Sequence, residues 1–494
     1  MRWSVKPIRI FLIFILLVYS NIVLAQTPPD KKDTGADAIL ERAKRPFKGD
    51  LGQILKRRLI RVLVTYSKTN FFFDRGVTQG FEYELLKDYE KFLNKDLKKL
   101  NQKITMLFIP VPFDRLLQSL VDGQGDIVAA GLTVTPQREK IVKFTDPYIP
   151  DVAEVVVLNK EVKDVRVLDD LAGRRVYIRP DSSYEEHLKA LSRQLIRKRK
   201  APINIATTDE NLTTEDILEF VNAGIEEITV ADHHIAGIWS SVLPNITVKK
   251  DLTINAEGDI AWAVRSNNPE LLASLNKFVK KTRKGSLLGN ILFNRYYKQA
   301  RWIKNPLTEQ ERKKLDHLAG LFQKYADQYG FEWLKIAAMA YQESEFDNSK
   351  KNPSGAVGIM QVLPSTAADK HVNIKNVHLL ENNIHAGVKY LAFLRQRYFS
   401  LPDIDPAARV DFAWAAYNAG PAKINAFRRI AEKRGFDPNR WFSNVEIIAM
   451  EKLGRETAVY VANINKYYIT YKLFHEKSRR RDRALKSHPA AQKD

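Results

Sequence analysis

Ile336-Ala337-Ala338-Met339-Ala340 runs without a break into Tyr341-Gln342-Glu343-Ser344-Glu345-Phe346, and this stretch decides how the C-terminal half reads. The apolar run predicts a buried helix over 332–343. A carboxylate at the end of such a helix is partly desolvated, which lifts its pKa towards the range a general acid needs. Helix geometry turns Glu345, the rival acid, ~200° away from Glu343. Two further segments lie downstream: Gly355-Ala356-Val357-Gly358-Ile359-Met360-Gln361-Val362-Leu363-Pro364 and Ala416-Tyr417-Asn418-Ala419-Gly420. Glycines let backbone approach a ligand closely, and Gly420 reads as a helix stop. Singly, each segment has an ordinary structural explanation. A helix-end Glu is usually solvated, a Met usually packs in a core, and Tyr-Asn-Ala-Gly is a plain helix end.

Working outward, helical periodicity dominates after about residue 298, over 309–330, 384–398, 407–418 and 457–476. Before it the pattern alternates. Apolar strand patterns at 59–64, 104–109 and 126–130 are interleaved with helices at 82–97 and 113–122. Alternation resumes after Pro150 with strands at 154–158, 175–178 and 228–230 and helices at 184–200 and 214–223. This predicts an α/β layer with a mostly parallel sheet, then a boundary near Ala300 with Lys304-Asn305-Pro306 as hinge.

The chain has 494 residues, which suggests about two to four domains. Hydrophobic content of 45% and charged content of 28% exclude a largely disordered chain. Lys+Arg exceed Asp+Glu by 79 to 58, a formal charge of +21 that favours an anionic partner. The absence of Cys excludes disulfides, Cys nucleophiles and a Cys-linked lipid anchor. Arg2, Lys6 and Arg9 precede an apolar run and a small-residue end at Ala25, so residues 1–25 read as a signal peptide. Export argues against nucleic acid and for anionic lipid or wall polymer. Residues 26–57 read as a flexible leader, 58–300 as one domain, 301–476 as a second and 477–494 as a basic disordered tail. No metal or cofactor is expected: the nine His are scattered, with His233-His234 adjacent, and no phosphate-cradling glycine loop occurs.

Taken together, Glu343-Ser344, Gly358-Ile359-Met360-Gln361, Ala416-Tyr417-Asn418-Ala419-Gly420 and Glu456-Thr457-Ala458-Val459-Tyr460-Val461 resemble, in order and spacing, the catalytic domain of the soluble lytic transglycosylases. That resemblance implies an all-α, goose-lysozyme-like fold over about residues 310–475. Ile359 stands where Leu is commoner, and Asn352-Pro353 where many members have Ser-Pro. The resemblance also implies the reaction. Glu343 protonates the β-1,4 glycosidic oxygen between N-acetylmuramic acid and N-acetylglucosamine, then takes the proton of the muramyl C6 hydroxyl, leaving a 1,6-anhydro end. Ser344, Met360, Gln361, Tyr417, Asn418 and Glu456 are implied to line the site, with Tyr417 hydrogen-bonding Glu343 and Ser344 supporting the helix end.

Upstream, Gly80-Phe81-Glu82, Gly125-Asp126-Ile127, Leu132-Thr133-Val134-Thr135-Pro136-Gln137-Arg138, Phe144-Thr145-Asp146-Pro147-Tyr148 and Val230-Ala231-Asp232 resemble periplasmic solute-binding proteins of the amino-acid-binding type. This implies two α/β lobes clamping a ligand. Arg138 would fork a ligand carboxylate, Asp232 would take an ammonium, and Thr133 would donate a hydrogen bond. Ser183 falls in the second-lobe loop, where Arg179-Pro180-Asp181 replaces a Gly-containing turn. Fused in this order, the halves resemble the membrane-bound lytic murein transglycosylase F type. The implied protein is an exported periplasmic lyase, peripheral on the outer membrane, acting on glycan strands. Its front domain would sense a muropeptide or amino acid. The competing readings are a non-enzymatic sensor that grips glycan and a muramidase that uses water.

Overall fold

The computed structural model describes residues 45–74, 77–97, 99, 102–209, 212–299, 308–454 and 456–487. The expected signal peptide, most of the leader and the hinge triplet lie outside them.

The chain enters through α1 (Leu51–Arg57), where a leader is expected. The reason is long-range. Asp50 accepts from Leu51 N at 2.8 Å and also from Glu270 N and Leu271 N, so one carboxylate caps two helices distant in sequence.

The first lobe is built on β1 (Leu59–Val64), β2 (Thr105–Pro110), β3 (Ile127–Val128), β4 (Lys143–Phe144) and a returning strand, Ala263–Val264. The sheet order is β2-β1-β3, then Ala263–Val264, then β4. All six residues of β1 are buried, as a strand covered on both faces requires. Helix α2 (Phe81–Asn94) buries Leu85, Leu86 and Tyr89. It begins at Gly80, where φ is +134° and a Cβ would meet Asn70 O at 2.2 Å.

The second lobe departs from the expected parallel layer. Its main sheet is antiparallel, with β5 (Ile149–Asn159) between β8 (Ile228–Asp232) and β9 (Ile246–Ile260); β6 (Arg175–Ile178) and β7 (Asn204–Thr207) form a parallel pair. Ile149 faces Ile260 at one end of β5, and Asn159 faces Ile246 at the other, so β5 and β9 are the strands that cross between lobes. Helices α3 (Ser183–Arg197) and α4 (Thr214–Asn222) cover this lobe.

After the lobes come α5 (Glu309–Tyr329), α6 (Trp333–Ser344), α7 (Leu380–Tyr398), α8 (Pro406–Ala419) and α9 (Glu456–Ser487). Helix α6 is central. Ile336 through Ala340 are each 0% exposed, because α5 and α9 close over it. Cutting Ile336 to Ala would cost about 2–5 kcal/mol. One core runs across the expected boundary: Ile217 and Phe220 of α4 join the cluster that holds α6 and α9. Lys68 of the first lobe bonds Glu219 and lies 3.2 Å from Asp216 on α4, and Lys466 of α9 lies 3.7 Å from Asp216. The expected disordered tail is, to Ser487, the end of α9. Lys477, its first residue, donates to Ile225 O at 3.1 Å.

Candidate functional site

Glu343 is the penultimate residue of α6, at the C-terminal end of the buried helix. It is half-buried. Tyr460, one helical turn past Thr457 on α9, donates to Glu343 Oε1 at 2.6 Å. Burial pushes the Glu343 carboxyl up to about 7, against the opposing pull of the Tyr460 hydrogen bond and the Lys350 charge. Lys350 Nζ donates to the Glu343 carbonyl at 2.7 Å. Burial also raises Tyr417 and Tyr460 well above the ordinary tyrosine range, reinforced by the nearby Glu343 charge. Both hydroxyls therefore stay protonated donors. Glu345 leaves the helix in the left-handed region at φ 59° and is exposed, so it is not part of this arrangement.

The loop beside Glu343 is held from beneath. Gly358 has φ 80°, and a Cβ there would meet the Asn383 side chain at 2.2 Å. Asn383, fully buried on α7, accepts from Met360 N at 2.8 Å and donates to the carbonyls of Val357 and Val377. Gln361 donates to Lys350 O and Gly358 O, while its Oε1 is buried without a partner.

Several expected roles change. Tyr417 does not bond Glu343: its hydroxyl donates to Met360 O at 2.9 Å, and Tyr460 takes the expected place. Met360 offers no side chain to substrate, because α7 comes close enough at Gly387 to bury it completely. Ser344 is also buried; its hydroxyl lies 2.8 Å from Ile359 O and ties the helix end to the loop. Asn418 is exposed and accepts from Thr457 at 2.7 Å. Glu456 opens α9 as an exposed residue. The structure thus brings Glu343, Gln361, Tyr417 and Asn418 to one region and adds Tyr460, Lys350 and Asn383. Tyr460 lies inside the Glu456-to-Val461 motif. Lys350 and Asn383 carry no local signal, because each acts on a distant backbone.

A second site lies between the lobes. Thr133, Arg138, Ser183 and Asp232 all line one cavity, with Thr65, Phe113, Arg179, Glu215 and His234. Burial pushes the Asp232 carboxyl up to about 8, and the Glu154 charge adds to this. Asp232 Oδ1 is buried without a hydrogen-bond partner. The Arg138 fork is occupied by protein: Nη1 donates to Thr133 O and Nη2 to Asp181 O, both at 2.8 Å.

Comparison with known proteins matches two families. The Transglycosylase SLT domain covers residues 320–439, and the bacterial extracellular solute-binding proteins, family 3, cover residues 60–299. A membrane-bound lytic murein transglycosylase F of Desulfosudis oleivorans is 31% identical over 441 residues, 85% of this chain and 91% of that one. One of the same name from Idiomarina loihiensis is 26% identical over 94% of this chain and 98% of that one. Among solved structures, the substrate-binding protein of an amino acid ABC transporter is 21% identical with a TM-score of 0.40, over 49% of this chain and 100% of that one.

Proposed function

The chain belongs to the membrane-bound lytic murein transglycosylase F family, and we propose that it cuts peptidoglycan strands without water, with Glu343 as acid and then base. The observation that carries this reading is a half-buried carboxyl, raised to about 7 by burial, with the Tyr460 hydroxyl fixed on one of its oxygens. Such a group is part-protonated near neutral pH, so it can give a proton and take one back. Tyr460 occupies Oε1, which leaves Oε2 to carry the proton. That proton passes to the glycosidic oxygen as the C1–O bond breaks. The carboxylate then takes the proton of the C6 hydroxyl, whose oxygen closes on C1. A 1,6-anhydro-muramyl end forms, and Glu343 is protonated again. Among the described residues, the groups that act on Glu343 are a hydroxyl and an ammonium, not a second carboxylate. A water-activating pair of carboxylates is the hallmark of hydrolysis, so this favours the anhydro product. Gln361 and Tyr417 shape the loop, and Asn418, exposed at the end of α8, accepts from Thr457 of α9.

Mass spectrometry of digested sacculi tests the reading. Anhydro ends are expected; reducing ends, heavier by one water, would mean a muramidase, and no release would mean a glycan-gripping sensor.

The lobes are read as a clamp for a wall-derived peptide or amino acid, supported by the convergence of Thr133, Arg138, Ser183 and Asp232. Helix α4 links the two sites, with Glu215 at the cavity and Asp216 beside Lys466 of α9. Titrating stem peptides into the whole chain while following turnover tests this; neither heat nor a rate change would remove the sensing role. A periplasmic, peripheral place on the outer membrane completes the reading. The excess of Lys+Arg over Asp+Glu would hold the protein to anionic lipid. Among the described residues no helix is long and apolar enough to cross a membrane.

A further inference from the structure

The cavity between the lobes has a volume of about 50 Å³, room for a few water molecules. Arg179 forms part of its wall. It belongs to the second lobe and is 7% exposed. Its guanidinium lies over the Phe113 ring of the first lobe, 4.1 Å from the centroid. Its Nη2 donates to Thr65 Oγ1, also of the first lobe, at 3.1 Å. Its Nε is buried without a partner. A flat cation stacked on an aromatic face and tied by one hydroxyl is how a basic ligand is gripped.

The loop that delivers this side chain is itself fastened. Ser182 donates to Arg179 O at 2.7 Å, Asp181 sits at φ 55°, and the Asp181 carbonyl occupies one arm of the Arg138 fork. Around the stack, Asp232 Oδ1 and both ring nitrogens of His234 are buried without hydrogen-bond partners. The walls therefore hold unspent polar groups, while the two strongest recognition groups are spent on the protein itself.

We propose that Arg179 is a built-in occupant of the interlobe cleft, standing where the basic side chain of a ligand would lie, so that an outside ligand enters only by displacing it. This rests on reading the lobes as a ligand clamp. The ligand class follows from what displacement frees. It carries a flat or compact cation for the Phe113 face and a donor for Asp232, with a carboxylate for the Arg138 arm that is released when the loop withdraws the Asp181 carbonyl. A tethered competitor lowers the apparent affinity of a free ligand by the fraction of time it holds the site. Removing it restores that affinity.

The test uses the whole chain in a Glu343→Gln background, so that binding is read without turnover. Arg179→Ala opens the site, and Arg179→Met keeps the aliphatic stem as a safeguard for folding. Calorimetry is run with L-arginine and n-propylguanidinium, with L-alanine and L-glutamate as controls. L-arginine should bind Arg179→Ala at least about tenfold more tightly than the parent, with a smaller gain in Arg179→Met. Equal affinity in parent and variants overturns the proposal. So do two cooperatively folded variants that bind neither probe. A stem peptide held by the parent and lost by Arg179→Ala would make Arg179 a ligand contact, which also overturns it. Loss of cooperative unfolding in both variants would make Arg179 a pillar between the lobes and end the idea. Each of these results leaves the reaction at Glu343 untouched.

Discussion

Glu343 and Asp232 are both carboxylates that burial pushes upward, to about 7 and about 8, yet they sit in opposite settings. Glu343 stands half-buried at a helix end, with a hydroxyl fixed on one oxygen. Asp232 stands buried at the end of β8, lining a cavity with Arg138 and Arg179, with one oxygen unpartnered. Desolvation alone therefore does not make a catalyst. In the proposed reading the half-buried carboxyl with a positioned donor exchanges a proton with substrate, whereas the fully buried one receives a cation.

The largest expected effect separates these roles. Glu343→Gln should lower release of anhydro-muropeptides by about 10³-fold or more, within the range removal of a general acid and base allows. Its circular dichroism should match wild type. The same variant carries a stability signature. A carboxyl whose folded pKa is raised from 4.5 to about 7 favours the folded state below 4.5 and loses that contribution as pH rises through 7. Glu343→Gln should therefore melt above wild type at pH 8 and level with it at pH 4.5 by calorimetry. A gain that is the same at both pH values would refute the buried titration.

Next in size is the loop support. Asn383→Ala leaves Met360 N–H and two carbonyls without their partner, so chemical denaturation should show a loss of about 2–4 kcal/mol. Activity should fall although Asn383 touches no substrate. Tyr460→Phe is smaller, about tenfold in kcat. Because the Tyr460 bond lowers the Glu343 pKa, the alkaline limb of the rate profile should move to higher pH. A rate loss with an unmoved limb would make Tyr460 merely structural. The smallest effect belongs to the cleft. Asp232→Asn replaces a carboxyl that is neutral at pH 7, and its stability should stay within about 0.5 kcal/mol of wild type by thermal melting.

Much of this comparison is legible in the amino-acid order alone. The apolar run into Glu343 signals a buried helix end, and the ordered motifs put Gln361, Tyr417 and the start of α9 around it. Alternation marks the α/β lobes, and the resemblance to solute-binding proteins brings Thr133, Arg138, Ser183 and Asp232 to one cavity. What stays hidden acts across distance. Asp50 turns an apparent leader into α1 by capping a helix more than two hundred residues away. Asn383 acts on a loop from another helix, and the direction of the Tyr460 hydroxyl is set by how α9 lies on α6. Local periodicity carries none of that information. The antiparallel pairing of β5 and β9 is hidden too, since a β-branched run does not state the direction of its neighbour.

The central claim is that burial holds the Glu343 carboxyl up to about 7, so that it exchanges its proton near neutral pH. The pH dependence of kcat/KM for anhydro-product formation on a soluble glycan reports the ionisation of that group in the free enzyme. An alkaline limb centred near 7 is expected from the burial of Glu343. A limb near the ordinary glutamate value of 4.5, or a flat rate from acid to alkaline pH, would contradict it.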